Sequence, residues 1–164
     1  MLAGVRVETR LTEMGLVLPE PTRPPPGVRL PFASVRLRGR RALVAGHGPL
    51  NPDGSLAGPF GKVPTEVTPD QAYASARLVC LAMLASLERA LGDLDRVTAW
   101  LRVFGMVNSA PDFAGQPGVI NGCSDLLLEL YGEDAGQHAR SAVGLAALPF
   151  NIPVEIEAEV EIDS

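Results

Sequence analysis

Near the end of the chain stand two side-chain types that can handle a small anion and a proton. Arg140 opens a strand-like run, 140–148, in which Ala142, Gly144 and Ala146 share its face by the two-residue alternation of a strand. Small neighbours leave space around the guanidinium. Its planar fork can clamp a carboxylate through two hydrogen bonds, and it stays charged when partly buried. Segment 154–162 then alternates Val154, Ile156, Ala158, Val160 and Ile162 with Glu155, Glu157, Glu159 and Glu161, one face apolar and the other anionic. Glu155 is the best candidate in that row for a role beyond solvation. An architectural alternative stands beside this chemistry: an ion pair from Arg140 to a glutamate of a neighbouring strand, with the rest of the row in water.

Other chemistries lack their residues. The segment ending Gly61, Lys62 carries Leu56 where a phosphate loop needs its first glycine and Val63 where it needs a hydroxyl. Gly46, His47 and Gly48 begin like a dinucleotide fingerprint, but Asn51 replaces the third glycine and no helix is expected to follow. His47, His138, Cys80 and Cys123 show no ligand spacing, so neither a metal nor another cofactor is expected. No G-x-S-x-G elbow occurs.

The chain that must position these groups has 164 residues, 46% hydrophobic and 20% charged, a balance that fits one globular domain. Nineteen acidic against 14 basic residues give a net charge of -5, which disfavours nucleic acid as a partner. Apolar runs are too short to span a membrane. Residues 1–10 lack the layout of a secretory signal and the two cysteines form no framework, so a cytoplasmic location is expected.

Val7, Leu11, Met14 and Leu18 predict an amphipathic helix within 5–18 that ends near Gly15. Five prolines in 19–27 predict an extended connection, so an N-terminal helical and Pro-rich extension of about 1–30 precedes the rest of the domain. Segments 32–37 and 42–46 read as a hairpin joined by a basic turn, and 47–63 as an irregular loop able to wall a site. Thr68, Pro69 and Gln71 announce a long helix that stops at Gly92. A central strand over 97–107 follows, with Trp100 expected as packing, then a helix over 119–131 and a loop over 132–139. Segments 140–148 and 154–162 close the chain as a hairpin or a pair of neighbouring strands. The order is α+β, a mixed sheet with two main helices on one face, its other face free for another subunit.

The run His138, Ala139, Arg140, Ser141, Ala142, Val143, Gly144, Leu145, Ala146, Ala147, Leu148, Pro149, followed by Pro153, Val154, Glu155, Ile156, Glu157, Ala158, resembles the C-terminal signature of the RidA family, also called YjgF or L-PSP. Gly46, His47, Gly48, Pro49 resembles its S-G-Q-x-P turn, and 92–97 its helix-to-strand junction. Segments 107–113 and 120–126 look like a longer-chain subgroup. The resemblance runs from about Leu18 to Ile162.

It implies a chorismate-mutase-like fold, a homotrimer with clefts between subunits, and hydrolysis of reactive enamines and imines such as 2-aminoacrylate to keto acids and ammonia. Matched by position, Arg140 is the carboxylate-binding arginine, Glu155 the glutamate that orients water, and Asn121 an asparagine of the second helix that would otherwise read as a helix cap. His47, Ala142 and Cys123 complete the expected substrate-binding set; His47 is alternatively structural, and Cys123 alternatively a core thiol. The sequence departs from the family where Ala45 and His47 replace serine and glutamine, where Ala142 replaces cysteine, and where Arg29 stands near an expected aromatic. These departures keep a second class open, a non-catalytic trimer that binds a small carboxylate for regulation. An endoribonuclease is the third, supported only by the basic turn 36–41.

Overall fold

The computed structural model describes residues 6–164; Val5, where the segment 5–18 expected to hold the N-terminal helix begins, lies with Met1 to Gly4 outside the described residues. The longest helix forms where its caps predict it. In α2, Pro69–Leu91, Thr68 Oγ1 accepts from the Gln71 amide at 3.1 Å and Gln71 Oε1 accepts from the Thr68 amide at 3.0 Å, while Gly92 ends the helix at φ 80°. These bonds satisfy amides that a helix start leaves free, and left-handed Gly92 is the usual helix stop. Ala72, Ala76, Val79, Met83, Leu87 and Leu91 are buried, as the helical period requires. Helix α1, Val7–Glu13, buries Val7 and Leu11, and Met14 and Leu18 pack on the core from beyond its end.

The sheet has strands β1 (Val35–Arg38), β2 (Arg41–His47), β3 (Val97–Asn108), β4 (Ala139–Leu145) and β5 (Val154–Ile162), in the order β1-β2-β5-β3-β4. All neighbours are antiparallel except β3 and β4, which run parallel and are connected through helix α3, Gln116–Gly136. The architecture is thus α+β with a mixed sheet. Trp100, Val103, Ile156 and Val160 of the sheet share one core with Met83 and Leu87 of α2 and Ile120 and Leu127 of α3, so both long helices cover the same face. Trp100 is 1% exposed and meets Tyr131 edge-on at 5.9 Å, a packing role.

Two expectations need correction. Segments 140–148 and 154–162 are not neighbours: β5 inserts between β2 and β3, and β4 lies at the edge beyond β3. Alternation in a sequence tells which face a residue takes but not which strand lies beside it. The chain leaves β4 through Pro149–Asn151, where Phe150 and Asn151 take left-handed φ of 56° and 57°, and then crosses the end of β3, where the Asn108 amide donates to the Pro153 carbonyl at 2.9 Å. The expected loop over 132–139 is also largely helical. Gly132 alone leaves helical geometry (φ 73°), and α3 resumes to Gly136, having started at Gln116 with a proline in its first turn.

Register fixes the faces. Val103 pairs with both Arg140 and Ala158, placing all three on the helix side, whereas Met106 pairs with Val143 and Glu155, placing these on the open side. Arg140 and the glutamate row therefore lie on opposite faces, and no ion pair joins them among the described residues.

Candidate functional site

The sequence-predicted residues fall into two groups. The first sits where edge strand β4 meets the first turns of α3. Arg140 Nη1 donates to Asn121 Oδ1 at 2.8 Å and to Ser124 Oγ at 3.1 Å, and Nη2 donates to the Pro117 carbonyl at 3.4 Å. A guanidinium has five N–H donors. Three are engaged here, so the Nε–H and one Nη2–H remain for a ligand among the described residues. The arginine is held in place with donors on two adjacent nitrogens to spare.

Behind it, His138 Nδ1 lies 2.8 Å from the Gly136 carbonyl and Nε2 lies 2.9 Å from Ser124 Oγ. A carbonyl only accepts, so Nδ1 carries the proton and Nε2 accepts from the serine hydroxyl. Burial first, and the Arg140 charge besides, push the His138 pKa down, which favours this neutral ring. Ser124 in turn accepts from Arg140, so the guanidinium is braced through two side chains. Ala142 follows Arg140 on the same face, opposite Gly105, and packs on the core.

The second group lines a cavity of about 710 Å³ at the end of β2, between the Pro-rich segment, the last turns of α2 and the 149–152 turn. Its polar lining is His47, Ser86, Arg89, Glu155, Ser34 and Thr22. Glu155 is half-buried and no hydrogen bond reaches its carboxylate among the described residues; burial first, then the Glu157 charge, raise its pKa. Gly46 leaves room beside that carboxyl, because a Cβ there would stand 3.1 Å from it.

His47 is 7% exposed. Its Nδ1 donates to the Ala45 carbonyl at 2.6 Å and its Nε2 accepts from Ser86 Oγ at 2.8 Å. Burial lowers its pKa, so the ring is neutral with both nitrogens occupied, an anchor for the β2 end. Cys123 requires a plainer correction. It is fully buried between the long helices beside Cys80, whose thiol burial pushes upward, and it faces no cleft. Its helical neighbours Ile120 and Leu127 are core residues, and that spacing already contained the answer.

Several participants escaped the sequence. Ser124 stands one helical turn beyond Asn121, a signal that could have been used. Ser86, Arg89, Leu30, Phe32 and Phe150 reach the cavity from elements distant in sequence, and no local pattern marks them. Arg29 does not line the cavity, whereas Phe32 does, so an aromatic is present on this wall after all. Elsewhere Glu8, Asp93 and Asp95 converge, but Arg6 pairs with all three, at 2.6 Å to Asp93. Among the described residues no helix is long and apolar enough to cross a membrane.

The family model described as "YjgF/chorismate_mutase-like, putative endoribonuclease" matches residues 8–157. Protein TCP17 of Trypanosoma cruzi is 37% identical over 164 residues, covering 100% of this chain and 99% of that protein. A solved Agrobacterium tumefaciens protein described as having unknown function is 38% identical and superposes with a TM-score of 0.85, covering 96% of this chain and 92% of its own. A Shewanella oneidensis structure described as "a putative endoribonuclease" is 30% identical, again with a TM-score of 0.85, covering 96% and 100%.

Proposed function

This chain belongs to the YjgF/chorismate-mutase-like family, the RidA family of its C-terminal signature, and from that premise we propose that it hydrolyses small 2-imino acids and their enamine tautomers to 2-keto acids and ammonia. The site is a cleft between two copies of a homotrimer. Arg140, steadied by Asn121 and Ser124, takes the substrate carboxylate on its two unengaged N–H groups. Glu155 of the adjacent copy orients a water molecule against the imine carbon.

The balance needs only water. With the imine nitrogen protonated, the Glu155 carboxylate accepts a proton as the water oxygen bonds to carbon and the C=N π pair moves onto nitrogen, giving a neutral carbinolamine. The same carboxyl then protonates nitrogen, and as the C–N bond breaks the resulting carboxylate takes the hydroxyl proton, so that ammonia leaves and the carbonyl forms. A carboxyl group whose pKa is raised by burial exchanges protons more readily near neutrality than an ordinary one. A bound carboxylate brings the reacting carbon to that group without a diffusional encounter.

One observation carries this assignment. Among the described residues the two groups are each prepared for a partner, Arg140 with two N–H groups unengaged and Glu155 with no hydrogen bond to its carboxylate, yet they lie on opposite faces of one sheet. A second copy is the simplest element that can bring them together. The test is to generate imines in situ with an amino-acid oxidase and follow keto-acid release above the spontaneous rate. Release at the background rate at micromolar protein would overturn the assignment.

A non-catalytic carboxylate binder is the second reading. It is favoured by His47, whose nitrogens are both occupied, and by Ala45 and Ala142, which bring no polar group. In that case keto acids bind but imines are not consumed faster. Ribonuclease action has less support, since the net charge is -5 and the cavity wall is largely apolar.

A further inference from the structure

The cavity beside Glu155 is large for a three-carbon acid. At about 710 Å³ it falls in the range of pockets that enclose whole drug-sized ligands. Its wall away from the polar groups is made by Leu30, Phe32, Leu50, Leu56, Phe150 and Ile152. Such a surface cannot satisfy water, so a small polar substrate would leave it wet at a cost. We infer that the ligand of this site carries a bulky apolar substituent, of isobutyl or benzyl size, on the carbon that bears its carboxyl group, and that the Pro-rich segment 19–34 is the wall that receives it. This rests on the carboxylate-binding role proposed above.

The wall is built rather than loosely draped. The Glu20 and Arg23 amides donate to the carbonyls of Pro52 and Gly54, each at 2.9 Å, and Arg89 Nη1 donates to the Pro19 carbonyl at 3.1 Å. Gly54, at φ 84°, comes so close to the Pro21 carbonyl that no side chain would fit. At the other end, the Ala45 amide donates to the Ser34 carbonyl at 2.9 Å. Prolines between these anchors restrict the chain before any ligand arrives.

The opposite wall is equally fixed. Phe150 holds a left-handed backbone (φ 56°) that a bulky residue rarely adopts, and the Asn151 amide to Leu148 carbonyl bond (3.1 Å) and the Gly61 amide to Asn151 carbonyl bond (2.8 Å) maintain it. Leu30, Phe32 and Phe150 are nevertheless 43%, 60% and 48% exposed. Three large apolar side chains on two segments anchored at their ends, each with surface left to cover, fit a substituent pocket.

The experiment is calorimetric titration of the full chain with pyruvate, 4-methyl-2-oxopentanoate, phenylpyruvate and 3-phenylpropanol, the last having a ring but no carboxylate. Each buried methylene is worth about fourfold in affinity, so the two bulky acids should bind on the order of 10- to 100-fold more tightly than pyruvate. Leu30→Ala, and Phe150→Asn, which tolerates the left-handed backbone, should each weaken phenylpyruvate by roughly tenfold and leave pyruvate within about twofold. Pyruvate binding as tightly as the bulky acids, or equal losses for both acids in the variants, would overturn the apolar subsite while leaving carboxylate recognition intact. Phenylpropanol matching phenylpyruvate would do the reverse, removing the carboxylate role and keeping the subsite.

Discussion

Asn121 and Arg140, 19 residues apart, meet in a 2.8 Å hydrogen bond that ties the second long helix to the edge strand. The contact fixes the guanidinium before a ligand arrives, which lowers the ordering cost of binding. It also explains why neither residue acts as its local pattern suggests. Asn121 lies within α3 and caps no helix end, and Arg140 has no glutamate opposite it.

Arg140→Lys keeps the charge and loses the fork, and Arg140→Ala loses both. Each should weaken keto-acid binding about tenfold to a hundredfold, equivalent to roughly 1.5 to 3 kcal/mol for a charge-assisted pair. Asn121→Ala should produce a smaller loss through the same guanidinium. Titration beside thermal melting checks this, and unchanged binding with a lowered melting temperature would make Arg140 a scaffold residue.

Glu155→Gln should reduce hydrolysis by about 10²- to 10⁴-fold, the usual share of a general acid–base group. Its pKa is raised in the folded chain, so ionised Glu155 costs stability, and that cost appears as pH rises through the folded value. The glutamine variant should accordingly melt above the native chain at pH 8 and show less advantage at pH 4. Gly46→Ala should lower the rate in the same direction but by less, because the new Cβ would stand 3.1 Å from the Glu155 carboxyl and displace it slightly, with a stability change of only about 1 kcal/mol.

His47 predicts the acid side of the stability curve. Its folded pKa lies below the ordinary 6.5, so the unfolded chain binds the proton more readily. Its contribution is complete above about pH 6.5 and is lost as pH falls from there through the lowered folded value. Denaturant melts between pH 8 and 5 should show this decline, to which His138 adds with the same sign, and His47→Gln should make it shallower.

Gly105 is a packing requirement of the sheet. A Cβ there would come within 2.5 Å of Ile120 in α3, so Gly105→Ala should destabilise by about 1 to 3 kcal/mol. Urea melts are the check, with keto-acid binding retained at temperatures where the variant is folded.

The parts legible in the sequence were those written locally. The Thr68–Gln71 cap, the Gly92 stop and the alternation of β5 each involve residues a few positions apart, and each formed as read. The insertion of β5 between β2 and β3 depends on a crossing that no alternation encodes. The same holds for the site. Arg140 and Glu155 stand out by type and neighbours, but Ser86, Arg89, Leu30 and Phe150 become cavity residues only when four distant segments meet. Phe150 was hidden for a further reason, since its left-handed backbone defies the preference of its own side chain.

The most direct test of a site shared between copies is complementation. Arg140→Ala and Glu155→Gln are each expected to be nearly inactive alone. Co-expressed in equal amounts, they should assemble mixed trimers in which a cleft is intact when one copy supplies Arg140 and its neighbour supplies Glu155, a chance of one half times one half, or about one quarter of native imine hydrolysis. Recovery near that fraction is the expected result. Mixed trimers no more active than either variant alone, or full activity in the Arg140→Ala protein by itself, would contradict a cleft built from both residues.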